Sequence, residues 1–299
     1  MRIAITGATG FLGRYVVARL TAAGHACRCW YRPSSDRADI AADAALLEWL
    51  PGQLGDWEAC EQLVSGCDAV VHAALDRPGH GFRGAEGDVA EFAQRNVIGT
   101  LQLIEAARAA GVARFVFIST CAVHEKILDD RPLDESHPLW ATSHYGAHKA
   151  AIEKFVHSYG LGAGYPICAL RPTGIYGLAH PATASKWFDL VAQVARGETV
   201  ECRRGGKEVH VDDVARAVEI LLSADGIAGE AYSCYDRYVS EHEVATIAKR
   251  LSGSDAEILG AATSPKHQIE TAKIRALGME FGGVERLEAT IAELLAACD

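Results

Sequence analysis

The chain has 299 residues, a formal net charge of −10, and 49% hydrophobic against 23% charged residues. That is the composition of a globular protein able to bury a sizeable core. The acidic balance argues against a nucleic-acid or anionic-membrane partner, and no run of about 18 apolar residues is present to span a bilayer.

RIAIT (2–6) is a short apolar strand that starts at once, so no signal peptide is expected and a cytoplasmic location is. TGATGFLG (6–13) follows, then helical periodicity over FLGRYVVARLTAAG (11–24), stopping at Gly24. ACRCWY (26–31) reads as a strand, as does ALLEWL (45–50). DWEACEQLVSG (56–66) is helical and DAVVHAA (68–74) a strand. Asp76 to Gly87 lacks periodicity and reads as a mobile loop. A helix is expected from about 86 to 110, a strand over 113–120, a helix over 143–159 and a strand over 166–171. Strands alternating with helices at this spacing predict an α/β fold, a doubly wound parallel Rossmann sheet with helices on both faces. Residues 1–172 are expected to form that domain, with about 205–235 packing back onto it, and 173–299 a small substrate-binding lobe.

Nine scattered cysteines without a C-x-x-C pair, and twelve histidines without ligand spacing, suggest reduced buried thiols and no metal site. The glycines Gly7, Gly10 and Gly13 lie between a strand and a helix. There, residues without a Cβ let backbone approach a pyrophosphate at the helix amino end, where Phe11 and Leu12 open the helix. After the second strand comes WYRPSSDR, with no acid before Asp36. Arg32 could hold a 2′-phosphate, which favours NADP(H) over NAD(H); an arginine stacked on adenine would not discriminate.

HYGAHK (144–149) places Tyr145 and Lys149 one helical turn apart. A neighbouring ammonium draws a phenol's pKa down toward neutrality, as proton exchange requires. Taken together, TGATGFLG, GDWEAC (55–60), VVHAAL (70–75), NVIGT (96–100), FVFIST (115–120), YGAHK, LRPTGIYG (170–177) and HVDDVARAV (210–218) resemble the extended short-chain dehydrogenase/reductases, the NAD(P)-dependent epimerase/dehydratase family. The resemblance covers about residues 1–224. It implies Tyr145 as acid/base, Lys149 as its tuning cation, Thr120 as a hydrogen-bond donor to the same substrate oxygen, and Asn96 as support. It also implies cofactor contacts from Asp56, Trp57, Ala73, Ala74, Pro172 and Ile175, and a homodimer through the two long helices.

Departures from the family pattern bear on the reaction. Cys121 and Ala122 follow Thr120 where the 4,6-dehydratases carry acids, so that elimination is not expected. Cys121 lies one position from the proton-shuttling cysteine of the epimerase-reductases, and His180 is out of register with their histidine. Gly206 stands where many nucleotide-sugar enzymes have a diphosphate-binding arginine. Either Arg203, Arg204 or Lys207 replaces it, or the substrate has no diphosphate. Trp140, Arg203, Arg204 and His210 are candidates for substrate contact. The expected activity is hydride transfer at a secondary alcohol or ketone of a carbohydrate-like or hydroxy-acid substrate. The alternatives are a nucleotide-sugar epimerase that retains NAD and, from another class, a non-catalytic dinucleotide sensor.

Overall fold

The computed structural model of the protein describes residues 1–77 and 86–298. In chain order the main elements are β1 (Arg2–Thr6), α1 (Phe11–Ala22), β2 (Ala26–Tyr31), β3 (Leu47–Pro51), α2 (Trp57–Val64), β4 (Ala69–His72), α3 (Val89–Ala93) and α4 (Gly99–Ala109). There follow β5 (Arg114–Ile118), α5 (His144–His157), β6 (Ile167–Pro172), β7 (Gly174–Tyr176), α6 (Phe188–Ala195), β8 (Val200–Cys202) and β9 (Gly205–His210). The last are α7 (Val211–Leu221), β10 (Glu230–Cys234), β11 (Arg237–Ser240), α8 (Glu241–Ser252), β12 (Ile258–Gly260), α9 (Ala272–Arg275) and α10 (Gly283–Ala296).

The chain divides into two units. The first comprises 1–172, 215–234 and 270–279; the second comprises 173–214, 235–269 and 280–299. In the first unit seven parallel strands run in the order β10-β6-β5-β4-β1-β2-β3. Such crossovers place helices on the sheet faces, so the central strands are buried on both sides. Thus β1 reads IAI and β4 reads AVVH, all fully or almost fully buried. The α/β Rossmann class expected from the alternation is the observed one.

The structure corrects several boundaries. The segment returning to the first unit is 215–234, joined by 270–279, rather than 205–235. Residues 205–210 form β9, which hydrogen-bonds to β7 and β11 and so belongs to the second unit's own sheet. The third strand starts at Leu47, after a 3-10 turn over Ala44–Leu46 that the Asp43 side chain caps. The helix expected from 86 begins at Val89, where Asp88 caps it, and is broken by a π-helical turn, Gln94–Ile98. Most of the loop expected at 76–87 lies outside the described residues.

The second unit has its own apolar core, with Val191, Val194, Val244, Ile247, Leu287 and Ile291 meeting between α6, α8 and α10. It holds the three-stranded sheet β11-β9-β7 and the two-stranded sheet β12-β8. All nine cysteines are free. Among the described residues no helix is long and apolar enough to cross a membrane, and no group of three or more His, Cys, Asp or Glu is placed to hold a metal ion.

Candidate active site and cofactor cradle

β1 ends at Thr6 and the chain turns through Gly7, whose φ of +72° lies in the left-handed region that favours glycine. A Cβ on Gly7 would come within 2.7 Å of the Ala73 backbone, and one on Gly13 would overlap the Gly7 carbonyl oxygen. The loop is thus drawn against the end of β4 and against itself. Gly10 caps α1 without a side-chain hydrogen bond, and no acid lies in the first turn with Phe11 and Leu12. Free N–H groups and the positive end of the helix dipole remain for an anion, so these residues fit a dinucleotide pyrophosphate.

A buried relay ties this loop to the helix beside it. Thr6 Oγ1 accepts from the Ala74 N–H at 3.2 Å and donates to His72 Nδ1 at 2.6 Å. His72 Nε2 donates to Thr100 Oγ1 at 2.8 Å, and that hydroxyl donates to the Asn96 carbonyl at 2.6 Å. Because the Thr100 hydroxyl is committed to the Asn96 carbonyl, Nε2 carries the proton, and a Thr6 hydroxyl donating to Nδ1 completes a neutral ring. Burial, with the Lys149 cation second, lowers the His72 pKa to about 3. Asn96 lies in the π-helical turn. Its side chain brackets Asp76, accepting from the Asp76 N–H and donating to the Asp76 carbonyl, each at 2.8 Å. Asn96 therefore acts directly on the segment that leaves β4.

A cavity of about 470 Å³ beside the end of β2 brings together Arg32, Pro33, Pro51, Gly52, Asp56 and Ala59. Asp56 caps α2, accepting from the Ala59 N–H at 3.0 Å, and Trp57 beside it is exposed. Arg32 Nη1 lies 3.3 Å from Asp76 Oδ1, and Arg95 reaches the other oxygen of the same carboxylate at 3.4 Å. The Arg37 guanidinium lies 4.1 Å above the Tyr31 ring. Asp36 turns back on its own loop, accepting from the Ala38 N–H at 2.8 Å. Arg14, which sequence reasoning passed over, latches that loop to the glycine turn through the carbonyls of Thr9, Asp36 and Ala38.

α5 carries the tyrosine–lysine pair. Ser143 caps it by accepting from the Gly146 N–H. A Cβ on Gly146 would lie 2.7 Å from the Ala122 carbonyl oxygen, so glycine lets the first turn close on the turn that follows Thr120. Thr120 is buried at the end of the β5 segment and accepts from the Ala122 N–H at 3.1 Å. One turn beyond half-buried Tyr145, Lys149 is only 5% exposed. Its Nζ donates to the Ile118 carbonyl at 2.7 Å and lies 4.5 Å from the centre of the Phe117 ring. Burial lowers the Lys149 pKa to about 7, against an opposing pull from Glu153.

Beneath these residues lies a network that the sequence reading did not single out. Arg171 is the largest fully buried side chain of the described residues. Its Nε donates to both Glu153 oxygens, at 3.0 and 3.1 Å, and its Nη1 meets His124 Nε2 at 3.1 Å. Ser119 donates to Glu153, and His124 Nδ1 to the Pro138 carbonyl. Glu153 follows Lys149 by one helical turn, a spacing that could have drawn notice. Cys121 donates to the Arg171 carbonyl at 3.0 Å, and burial pushes its thiol up to about 12, the state of an inert sulfhydryl.

The other expected residues are placed as follows. Pro172 ends β6 in the first unit; Ile175 is central in β7 of the second. Trp140 is exposed, with Lys126 Nζ 5.8 Å from its ring centre. Arg203 Nε donates to Glu201 at 2.7 Å, and Glu241 accepts from the backbone N–H groups of Arg203 and Arg204. His210 is buried against Tyr176, its Nδ1 accepting from the Asp212 N–H at the start of α7. Asp213 accepts from the Gly282 N–H, and Asp212 faces Arg286.

Residues 3–234 match the model of the NAD dependent epimerase/dehydratase family. The chain belongs to that family. It is 33% identical over 245 residues, 79% of this chain and 68% of the other, to a 4-hydroxy-2-methyl-3-oxo-4-farnesyl-3,4-dihydroquinoline-1-oxide ketoreductase of Stigmatella aurantiaca. It is 28% identical to a UDP-glucose 4-epimerase of Corynebacterium glutamicum over 90% of each chain. Among solved structures, the dTDP-glucose 4,6-dehydratase DesIV of Streptomyces venezuelae, with NAD and TYD bound, superposes with a TM-score of 0.78 at 26% identity, covering 98% of this chain and 96% of that one. This member of the epimerase/dehydratase family is accordingly an NAD(P)-dependent enzyme.

Proposed function

We propose that the enzyme is a reductase with a dissociable NADP(H) cofactor, acting on a ketone or secondary alcohol of a carbohydrate-like or hydroxy-acid substrate. The observation that carries this reading is Lys149, a buried ammonium one helical turn from Tyr145, on a helix packed by Gly146 against the turn after Thr120. Tyr145 exchanges the proton of the substrate oxygen, and Thr120 donates a hydrogen bond to that oxygen. Lys149 supplies the nearby positive charge that favours the phenolate. Asn96 steadies the segment leaving β4, and the second unit serves as the substrate lobe. The bound nicotinamide supplies or accepts the hydride.

Arg32 beside the cavity and the engagement of Asp36 within its own loop support NADP(H). The Asp76 carboxylate lies 3.3 Å from Arg32 Nη1, so a 2′-phosphate on Arg32 competes with it. A second reading, a nucleotide-sugar epimerase retaining NAD, is favoured by the full-length similarity to the Corynebacterium epimerase and opposed by Gly206. A homodimer through α4 and α5 draws support from exposed Ile98, Phe155 and Leu161 on or beside them. Light scattering tests the dimer; a monomer at all concentrations removes it.

The deciding experiment purifies the protein without nucleotide, denatures it, and identifies by mass spectrometry what is released. Empty protein, stabilised against heat more by NADPH than by NADH, supports the reductase. Stoichiometric NAD sinks it in favour of the epimerase.

A further inference from the structure

The second unit contains a buried carboxylate that the catalytic reading does not use. Glu208, in the middle strand of the sheet β11-β9-β7, is 3% exposed. Lys186 Nζ pairs with Oε1 at 2.5 Å, while Oε2 has no hydrogen-bond partner among the described residues. A charged oxygen so placed is costly unless a donor meets it.

Two glycines make room for this group. Gly174 is the register partner of Glu208 on β7, and Gly206 precedes it by two residues on the same face of β9. A Cβ at Gly174 would overlap Oε2, and one at Gly206 would overlap Oε1. Gly174 is itself exposed, so Oε2 lies under a surface position left bare. Two more buried polar atoms on this sheet lack protein partners among the described residues, Tyr176 Oη and Arg237 Nη1. Arg237 is the register partner of Glu208 on β11, and partners across a ladder share a face. Trp187, next to Lys186, takes a left-handed φ of +68°, uncommon for a bulky residue, with its ring 5.3 Å from that of Tyr176.

Buried polar atoms are nearly always met by protein, water or ligand. Here an acceptor, a donor and a phenol stand unmet on one small sheet. An anionic ligand would face the Glu208 carboxylate. Lys186 is paired with Glu208 and Arg237 Nη2 with Glu243 at 2.7 Å, so the charges here already compensate one another and a second ion, of either sign, finds no counter-charge left over. A neutral hydroxyl can donate to Glu208 and accept from Arg237. We propose that this face recognises a neutral polyhydroxyl group of the substrate, with Glu208 Oε2 accepting from one hydroxyl, and that it disfavours a diphosphate. The proposal rests on the carbohydrate-like branch of the function above.

The test uses the full chain carrying Tyr145→Phe, so that binding is read without turnover. Intrinsic tryptophan fluorescence is titrated with D-glucose, myo-inositol and UDP-glucose, and Trp187→Phe assigns the signal. The neutral polyols are expected to change Trp187 emission, and UDP-glucose to bind no more tightly than D-glucose. Gly174→Ala, whose methyl would push Oε2 from its place, and Glu208→Gln should each weaken polyol binding by about tenfold or more. Thermal melts check folding, and Glu208→Gln decides if Gly174→Ala does not fold. The proposal is overturned if no polyol moves the Trp187 signal. It is equally overturned if both folded variants bind as the parent does, as a site holding only ordered water would, or if UDP-glucose binds at least tenfold tighter than D-glucose. A failed reductase screen with intact polyol binding would sink the function and spare this site.

Discussion

Arg171 and Glu153 form a salt bridge in which each side chain is only 1% exposed. One comes from β6 and the other from α5, and together they brace Ser119, the residue before Thr120. A charge pair this deep is costly to desolvate, and breaking it leaves an uncompensated ion. Glu153→Ala or Arg171→Leu should each lower stability by about 3–5 kcal/mol. The combined Glu153→Leu/Arg171→Met protein should recover much of that loss, and urea unfolding of the three variants measures it. A double variant no more stable than the singles would contradict this account.

Tyr145→Phe keeps the ring and removes the exchangeable proton. NAD(P)H-dependent turnover should fall by about 10²–10⁴-fold, with the melting temperature little changed. Steady-state rates on the first accepted ketone check it, and an active, stable variant would remove Tyr145 from the chemistry.

Lys149 gives a pH signature. Burial holds its pKa at about 7 in the fold, down from the ordinary lysine value of 10.5. In that window the unfolded chain binds more protons than the native protein, so stability rises with pH. Lys149's contribution is fully present above pH ~10.5 and is lost as pH falls through ~7. Denaturant midpoints across this range should show the slope in the wild type and lose it in Lys149→Met.

Histidines act at the acid end. His72 and His148 are lowered to about 3, both chiefly by burial and secondly by Lys149. Each contributes stability present above the ordinary imidazole range and lost as pH falls toward 3. His72→Asn should flatten the stability loss between pH 6.5 and 3 while lowering the plateau at neutral pH, because the relay from Thr6 to Thr100 is cut. Equilibrium unfolding at several pH values reads both effects.

Arg32→Ala should weaken NADPH binding by about tenfold or more, the scale of one charge-assisted hydrogen bond, and leave NADH nearly unchanged. Isothermal titration with both nucleotides compares them. Equal losses for the two would indicate stacking rather than phosphate recognition.

The nucleotide-binding half was legible from sequence because its signals are local. Glycine spacing between β1 and α1, alternating strands and helices, and a tyrosine one turn before a lysine each depend on a few consecutive residues. Boundaries were less legible. The π-helical turn at Gln94–Ile98 and the 3-10 turn before β3 answer to packing and capping rather than periodicity. The pairings of Arg171 with Glu153 and of Gly174 with Glu208 were not legible at all. Each joins residues on different elements, and strand register sets which side chains meet. Sequence alone therefore determined the family, the parallel sheet and the tyrosine–lysine helix. Tertiary structure decided which charges are buried and which carboxylate oxygen is left unmet, because desolvation is a property of the packed interior and not of any residue by itself.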